Sequence, residues 1–229
     1  MANARFFFQI QKKLDLFSLE FTADFNSGIL VIRGESGAGK TTILNCIAGL
    51  TKPDTGKIII SDQTVFDSIA RIDIPTRKRH IGYVFQNYAL FPNMTVEKNI
   101  SYGLTNLPEY KNEEKRKELL DYMEYLIEAF HIAPLREKYP YAISGGEKQR
   151  TALARAIVTR PKLLLMDEPF SALDTNTKEI IYSEFGTFIK TFDIPILLIT
   201  HDPHEAKLFA DQIIEIKEGK IITKLGEYD

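Results

Sequence analysis

The sequence predicts an α/β protein with a mainly parallel sheet, an N-terminal antiparallel β subdomain and an inserted α-helical lobe. Three observations carry this reading. Short apolar runs alternate with helical stretches, and such alternation implies a parallel sheet wound by right-handed crossovers. The run Ile29-Leu-Val-Ile32 leads straight into a glycine-rich loop and then a helix. From residue 87 to about 143 the character changes to helix, with Glu and Lys mixed through it.

The elements follow in order. Residues 6–10 and 16–25 read as strands, the second alternating partly in and out. Asn26-Ser-Gly28 is a turn. Residues 29–32 form a buried strand and 41–50 a helix. Lys52-Pro-Asp-Thr-Gly56 turns the chain into a strand over 57–60. Residues 71–80 are polar and basic, and 81–85 form another strand. Helices over 97–104 and 112–130 make the lobe. A helix over 146–159, a strand over 162–166, a helix over 175–191, a strand over 194–200 and a helix over 203–210 complete the alternation. A hairpin of 212–216 and 220–224 turns around Glu218-Gly219. One domain spans 1–229, with an α/β core from 1–86 and 144–229 and the lobe at 87–143.

Composition narrows the function. The chain is 229 residues, 44% hydrophobic and 26% charged, which is enough to bury a full core. A net charge of −2 makes no electrostatic case for nucleic acid. The single cysteine, Cys46, allows no internal disulfide and fits a reducing compartment and a small core position. No apolar run nears the ~18–20 residues that cross a bilayer. The segment from Met1 to Gln9 does not read as a signal peptide. Any tie to a membrane is therefore expected through a partner.

Three motifs carry chemistry. Gly34-Glu-Ser-Gly-Ala-Gly-Lys40-Thr41 matches G-x-x-x-x-G-K-[ST] between a strand and a helix, the context of a P-loop NTPase core. Glycines let backbone N–H groups turn onto a polyanion, and the helix start adds positive charge. Lys40 would reach the β- and γ-phosphates, and Thr41 would hold Mg²⁺. Leu163-Leu-Leu-Met-Asp167-Glu168 is an apolar strand ending in two carboxylates. Two acids there are costly without a cation or a proton-transfer task. Asp167 suits the Mg²⁺ shell, and Glu168 suits a general base for water attacking the γ-phosphate. Ser144-Gly-Gly-Glu-Lys-Gln-Arg150 opens an Ala/Leu/Ile-rich helix. Alone it reads equally as an N-cap or as a second anion-binding helix start.

In combination, these residues resemble the nucleotide-binding subunit of ABC transporters over essentially the whole chain. Gln86 in Val84-Phe85-Gln86 matches the glutamine that links the two lobes. Ile143-Ser-Gly-Gly-Glu147 matches the family signature, usually Leu-Ser-Gly-Gly-Gln. Ser171-Ala-Leu-Asp174 matches the loop after the acidic pair, and His201 the switch histidine. The resemblance implies ATP bound by Gly34, Glu35, Ser36, Gly37, Ala38, Gly39, Lys40, Thr41, Thr42 and Gln86. Ser144, Gly145, Gly146, Glu147 and Asp174 would act on the ATP of a second copy, paired head to tail. It implies catalysis by Glu168, His201 and Lys40, and Mg²⁺ held by Thr41, Gln86 and Asp167. Departures are Ile143 and Glu147 at the signature, and no plain adenine-stacking aromatic. Phe17 is the nearest candidate, with a core strand position the equal alternative.

His80 and His131 read as surface residues, His204 has no assigned role, and Thr76-Arg-Lys-Arg79 reads as a solvated basic loop. The stretch Tyr83 to Val96 is similar to the solute-importer class. The lengthened link over 67–75 and Ser-Gly-Gly-Glu-Lys-Gln-Arg150 are most similar to ATPase subunits of molybdate and related oxyanion importers. The chain ends at Asp229, so the C-terminal β-rich regulatory domain of many importer ATPases is not expected. The resemblance implies a peripheral subunit on the cytoplasmic face of the cell membrane, with permease subunits as partners and a solute-binding protein indirectly. A compact exporter or lipoprotein-release motor stays the rival among transporters. Non-transport ABC ATPases fit poorly, because only a short lobe separates the motifs and the chain carries a single cassette.

Overall fold

The computed structural model describes residues 5–173 and 175–225. In chain order the elements are β1 (Phe6–Lys13), β2 (Ser18–Phe25), β3 (Ile29–Arg33), α1 (Lys40–Ala48), β4 (Thr55–Ile60), β5 (Gln63–Asp67), β6 (Ile72–Asp73) and β7 (Ile81–Val84). There follow α2 (Val96–Ser101), α3 (Glu113–Ala129), α4 (Gly145–Ile157), β8 (Leu163–Asp167), α5 (Thr175–Phe192), β9 (Ile196–Thr200), α6 (Pro203–Phe209), β10 (Gln212–Lys217) and β11 (Lys220–Leu225).

Among the described residues one mixed sheet runs β6-β5-β4-β1-β2-β11-β10-β3-β9-β8-β7. The stretch β10-β3-β9-β8 is parallel. The stretch β6-β5-β4-β1-β2 is antiparallel. The β10–β11 hairpin joins the two, because β11 meets β2 at the single parallel pair Lys220–Glu20. Burial explains the division. β8 and β9 are buried along their whole length and apolar up to their last residues, Asp167 and Thr200, as parallel strands covered on both faces must be. β2 alternates strictly between exposed and buried positions, with one face to solvent.

Contacts divide the chain into two units. The first holds the residues up to Tyr83, Lys162–Glu168 and those from Ile189 on. Its core joins Phe6, Phe8 and Ile10 of β1 and Leu19 and Phe21 of β2 to Ile43, Leu44 and Ile47 of α1. The second holds Val84–Pro161 and Pro169–Phe188, wider than the 87–143 stretch marked out by sequence. It takes in α4 and most of α5, because a helical lobe needs those apolar faces to close its own core. Phe170 meets Phe185 edge-on at 5.3 Å, and Phe130 lies 5.8 Å from Phe188. Its helices start on polar caps: Thr95 accepts from the Lys98 N–H and Asn112 from the Lys115 N–H.

Two expectations change. The link over 67–75 is partly strand. β5 pairs with β4 around Ser61 and Asp62, both left-handed (φ 49° and 66°), the two-residue hairpin turn that matches strand twist. Thr76-Arg-Lys-Arg79 is not uniformly solvated. Arg77 and Lys78 are exposed, but Arg79 is only 2% exposed. Its Nη1 donates to the Cys46 and Ile47 carbonyls at 3.0 and 2.8 Å, and its Nε to Ile74 O at 2.7 Å. Arg79 also pairs with Asp73 at 3.3 Å. The guanidinium thus adds charged donors to carbonyls at the C-terminal end of α1, one of which also accepts from the Gly49 N–H, and places a cation at the negative pole of its dipole.

Arg79→Ala should lower the unfolding free energy by about 2–4 kcal/mol, since buried acceptors lose charged donors. Arg79→Lys should recover only part of it, because one ammonium cannot reproduce the fork. Urea denaturation followed by circular dichroism checks both, and a wild-type midpoint for Arg79→Ala would contradict the capping role.

Candidate functional site

The site of the first unit forms where β3, β8 and β9 end side by side. β3 delivers the loop over 34–39, and α1 begins at once behind it. A Cβ at Gly34 would stand 2.2 Å from the Ile216 carbonyl of β10, so only glycine lets the strands approach this closely. Gly39, left-handed at φ 99°, is the N-cap of α1 and offers no side-chain bond to the free N–H groups. A helix start left uncapped behind a glycine loop is a ready receptor for an anion. The hairpin supports the loop from beneath: the Gly219 N–H donates to Ala38 O at 3.1 Å, and its carbonyl accepts from the Glu20 N–H at 2.8 Å. Glu35, Ser36, Gly37 and Thr41 are exposed, and Thr42 is half-buried.

Lys40 is 5% exposed. Its Nζ donates to the carbonyls of Gly34 at 2.7 Å and Glu35 at 2.9 Å, and lies 4.0 Å from Glu168 Oε1. Burial pulls its pKa below the ordinary lysine value, while Glu168 and then Asp167 push back. Thr41 donates its hydroxyl to Asp167 Oδ1 at 3.2 Å. Burial raises the Asp167 pKa, the Thr41 bond lowers it, the Glu168 charge raises it and Lys40 lowers it.

Glu168 follows β8 in a left-handed conformation at φ 45°. Such backbone costs of order 1–3 kcal/mol in a non-glycine residue and gathers at functional sites. Its N–H donates to Ile199 O at 3.0 Å, tying it to β9. Glu168 Oε2 lies 3.2 Å from His201 Nδ1, and the His201 side chain is 60% exposed, open to a ligand. Lys40, Thr41, Asp167, Glu168 and His201, scattered over some 160 residues of sequence, thus meet at one strand edge.

Among the described residues no group of three or more His, Cys, Asp or Glu could hold a metal alone. Mg²⁺ rarely uses an all-protein cage, binding through one or two protein oxygens plus phosphates and water. The Thr41–Asp167 pair beside an anion-receptive helix start fits that pattern.

Phe17 departs from the strand reading. β2 begins at Ser18, and Phe17 sits half-buried in the bend before it. With Leu16 it lines a pocket that also contains Glu35 to Ala38, Lys217 and Glu218. The supporting hairpin tip was not singled out by sequence reasoning. Its one signal is Glu218-Gly219, which marks a turn but not what the turn touches.

The second unit carries the remaining predicted residues. Gln86 is exposed in the turn after β7. Ser144 caps α4, its Oγ accepting from the Glu147 N–H at 3.3 Å, while Glu147 Oε2 accepts from the Ser144 N–H at 2.7 Å. This reciprocal capping box holds Gly145 exposed at the helix start, with Gly146 buried behind it. The Ser144 N–H holds the Glu147 carboxyl below the usual carboxylate range. Asp174 lies outside the described residues.

Residues 19–171 match the ABC transporter family. The chain is 41% identical over 209 residues to the molybdenum import ATP-binding protein ModC of Haemophilus ducreyi, across 90% of this chain and 56% of that protein. It is 38% identical over 214 residues to the molybdate/tungstate import ATP-binding protein WtpC of Archaeoglobus fulgidus, across 93% and 84%. The chain therefore spans little more than half the length of that ModC protein. Among solved structures it is similar to cbiO1 of Clostridium perfringens, part of the ABC transporter complex cbiONQ. The TM-score is 0.77 at 26% identity, covering 97% of this chain and 88% of that one. It is also similar to an ATP-binding cassette in a dimeric post-hydrolysis state bound to ADP and Pi, with TM-score 0.72 at 27% identity, covering 97% and 98%.

Asp167→Asn should stabilise the ligand-free chain at neutral pH, because a carboxylate whose folded pKa is raised is a folding liability once ionised. The sign follows from the direction of the shift. The wild type holds its full stability below the unfolded-state pKa and loses this part as pH rises through the raised folded value. The advantage of Asn should therefore be absent in acid and grow towards neutrality. Urea midpoints of both proteins across pH check this, and a pH-independent difference would contradict it.

Proposed function

Because the chain belongs to the ABC transporter family, we propose that it is the ATP-binding and ATP-hydrolysing subunit of an importer, with molybdate or tungstate as the solute. The observation that carries the enzymatic part is Glu168, placed between Lys40 and His201 beside an uncapped helix start. The solute rests on the 38–41% identity to relatives named for molybdenum and for molybdate or tungstate import.

The residues take separate tasks. Backbone N–H groups over 34–39 and the start of α1 receive the phosphates. Lys40 exchanges its carbonyl partners for phosphate oxygens. Thr41 and Asp167 would hold magnesium, with Gln86 as the further ligand that the family resemblance adds, and the ion would supply positive charge against the phosphates. Glu168 accepts a proton from the attacking water. His201, bonded to Glu168, supplies a donor towards the γ-phosphate. Phe17 offers its ring to adenine across the neighbouring pocket.

Ser144, Gly145, Gly146 and Glu147, with Asp174, complete the site of a second copy in a head-to-tail dimer. Closure on ATP and reopening after hydrolysis drive the membrane partner between its two states. Among the described residues no helix is long and apolar enough to cross a membrane. Attachment to the cytoplasmic face through permease subunits follows from the import ATP-binding proteins that the chain resembles. A solute-binding protein feeds the permease from the other side.

Glu168→Gln should retain ATP binding and lose about 10²–10⁴ in turnover. It should pair with ATP but not with ADP in size exclusion with light scattering, and Ser144→Arg should abolish the pairing. Near-wild-type turnover would sink the base assignment, and dimers surviving Ser144→Arg would sink the shared site. Molybdate uptake by vesicles carrying the chain with its permease tests the solute, and uptake that does not depend on this chain would refute it.

A further inference from the structure

We propose that Glu205 and Thr200 form a buried relay that positions His201. The proposal rests on the reading of His201 as a group acting at the γ-phosphate. Thr200 is the last residue of β9 and is 1% exposed, and Glu205 in the first turn of α6 is 3% exposed. Thr200 donates its hydroxyl to Glu205 Oε2 at 2.5 Å, and the Thr200 Oγ1 itself accepts from the Asp202 N–H at 3.0 Å. Asp202 is the N-cap of α6 and accepts from the His204 N–H at 2.8 Å.

In an ordinary capping box the third helical residue, Glu205 here, would accept directly from the N-cap N–H. Instead the Thr200 hydroxyl stands between them, donating to one and accepting from the other. The start of α6 is therefore bonded to the end of β9, and the residue enclosed between the two anchors is His201. Its ring is largely exposed and has little packing to hold it. Apart from the Glu168 contact, the direction of its side chain depends on its backbone, and that backbone is clamped on both sides. Adjoining β9, Glu168 is bonded through its N–H to Ile199, the residue before Thr200. The 3.2 Å approach of Glu168 Oε2 to His201 Nδ1 is thus set by two anchors one residue apart on one strand. A buried carboxylate needs a strong donor, and the short Thr200 bond provides one. Glu205 is a positioning residue and touches no substrate.

The test uses the full chain, with kcat and KM for ATP measured separately. Thr200→Val keeps the shape and removes the hydroxyl. Both it and Glu205→Ala should lower kcat roughly tenfold to a hundredfold, the scale of a small misplacement, with KM for ATP changed less than about twofold. Thr200→Ser and Glu205→Gln, which keep a donor and an acceptor, should restore most of kcat. In a His201→Ala background Thr200→Val should cost nothing further, because nothing remains to be positioned. Wild-type kcat in Thr200→Val, or a loss that multiplies in the His201→Ala background, would overturn the relay. Wild-type kcat in His201→Ala itself would overturn the histidine's part in the proposed function and the relay with it. A loss in His201→Ala beside wild-type kcat in Thr200→Val would overturn the relay alone.

Discussion

Lys40 carries a cationic group into a nearly closed space at the start of α1, and the surrounding unit is arranged around that charge. Two backbone carbonyls of the glycine loop accept from it, and two carboxylates at the end of β8 face it. Burial works against the lysine and against Asp167 alike. Each is tolerable because the other is near, and each keeps bonding capacity that a polyanion and a divalent cation can use. The site is thus poised for charged ligands at some cost to the ligand-free fold.

That cost must be offset elsewhere in the first unit. α1 buries Ile43, Leu44, Cys46 and Ile47 against the sheet, so its uncapped N-terminus is held by packing rather than by a polar cap. Cys46 is part of this apolar face, with burial pushing its thiol up to about 11, which leaves it unreactive. Arg79 closes the far end of the helix. A helix open at its positive pole and fully capped at its negative one directs its unused hydrogen-bonding capacity towards the glycine loop.

The second unit treats its own helix start differently. Ser144 and Glu147 cap α4 reciprocally, while Ile143 is buried in the lobe. The structural and functional readings of Ser144 are therefore compatible, since the cap fixes the backbone that leaves Gly145 exposed. Glutamate in place of the usual glutamine at 147 serves the cap equally well, because either side chain supplies the accepting oxygen.

Periodicity and motif spacing were sufficient for the α/β class, for the order of helices and strands from residue 81 onwards, and for putting forward Lys40, Thr41, Asp167 and Glu168 as candidates, while His201 entered only through the family resemblance. Those signals are local: a glycine loop between strand and helix, and an apolar strand ending in acids. Glu218-Gly219 was legible as a turn because glycine adopts positive φ freely. The equivalent turn at Ser61 and Asp62 was not, because aspartate takes a left-handed backbone less freely than glycine and serine rarely does, and β5 was missed with it. Arg79 looked like its solvated neighbours, since sequence cannot show that a helix 30 residues upstream ends against it. Phe17 could be read from sequence either as an adenine-stacking ring or as a core strand residue, and the bend before β2 places it beside the glycine loop instead of in the strand. Composition and order determined which groups this protein carries. Tertiary structure decided which of them share a strand edge, a helix end or a buried bond, because those relations depend on distances between segments far apart in the chain.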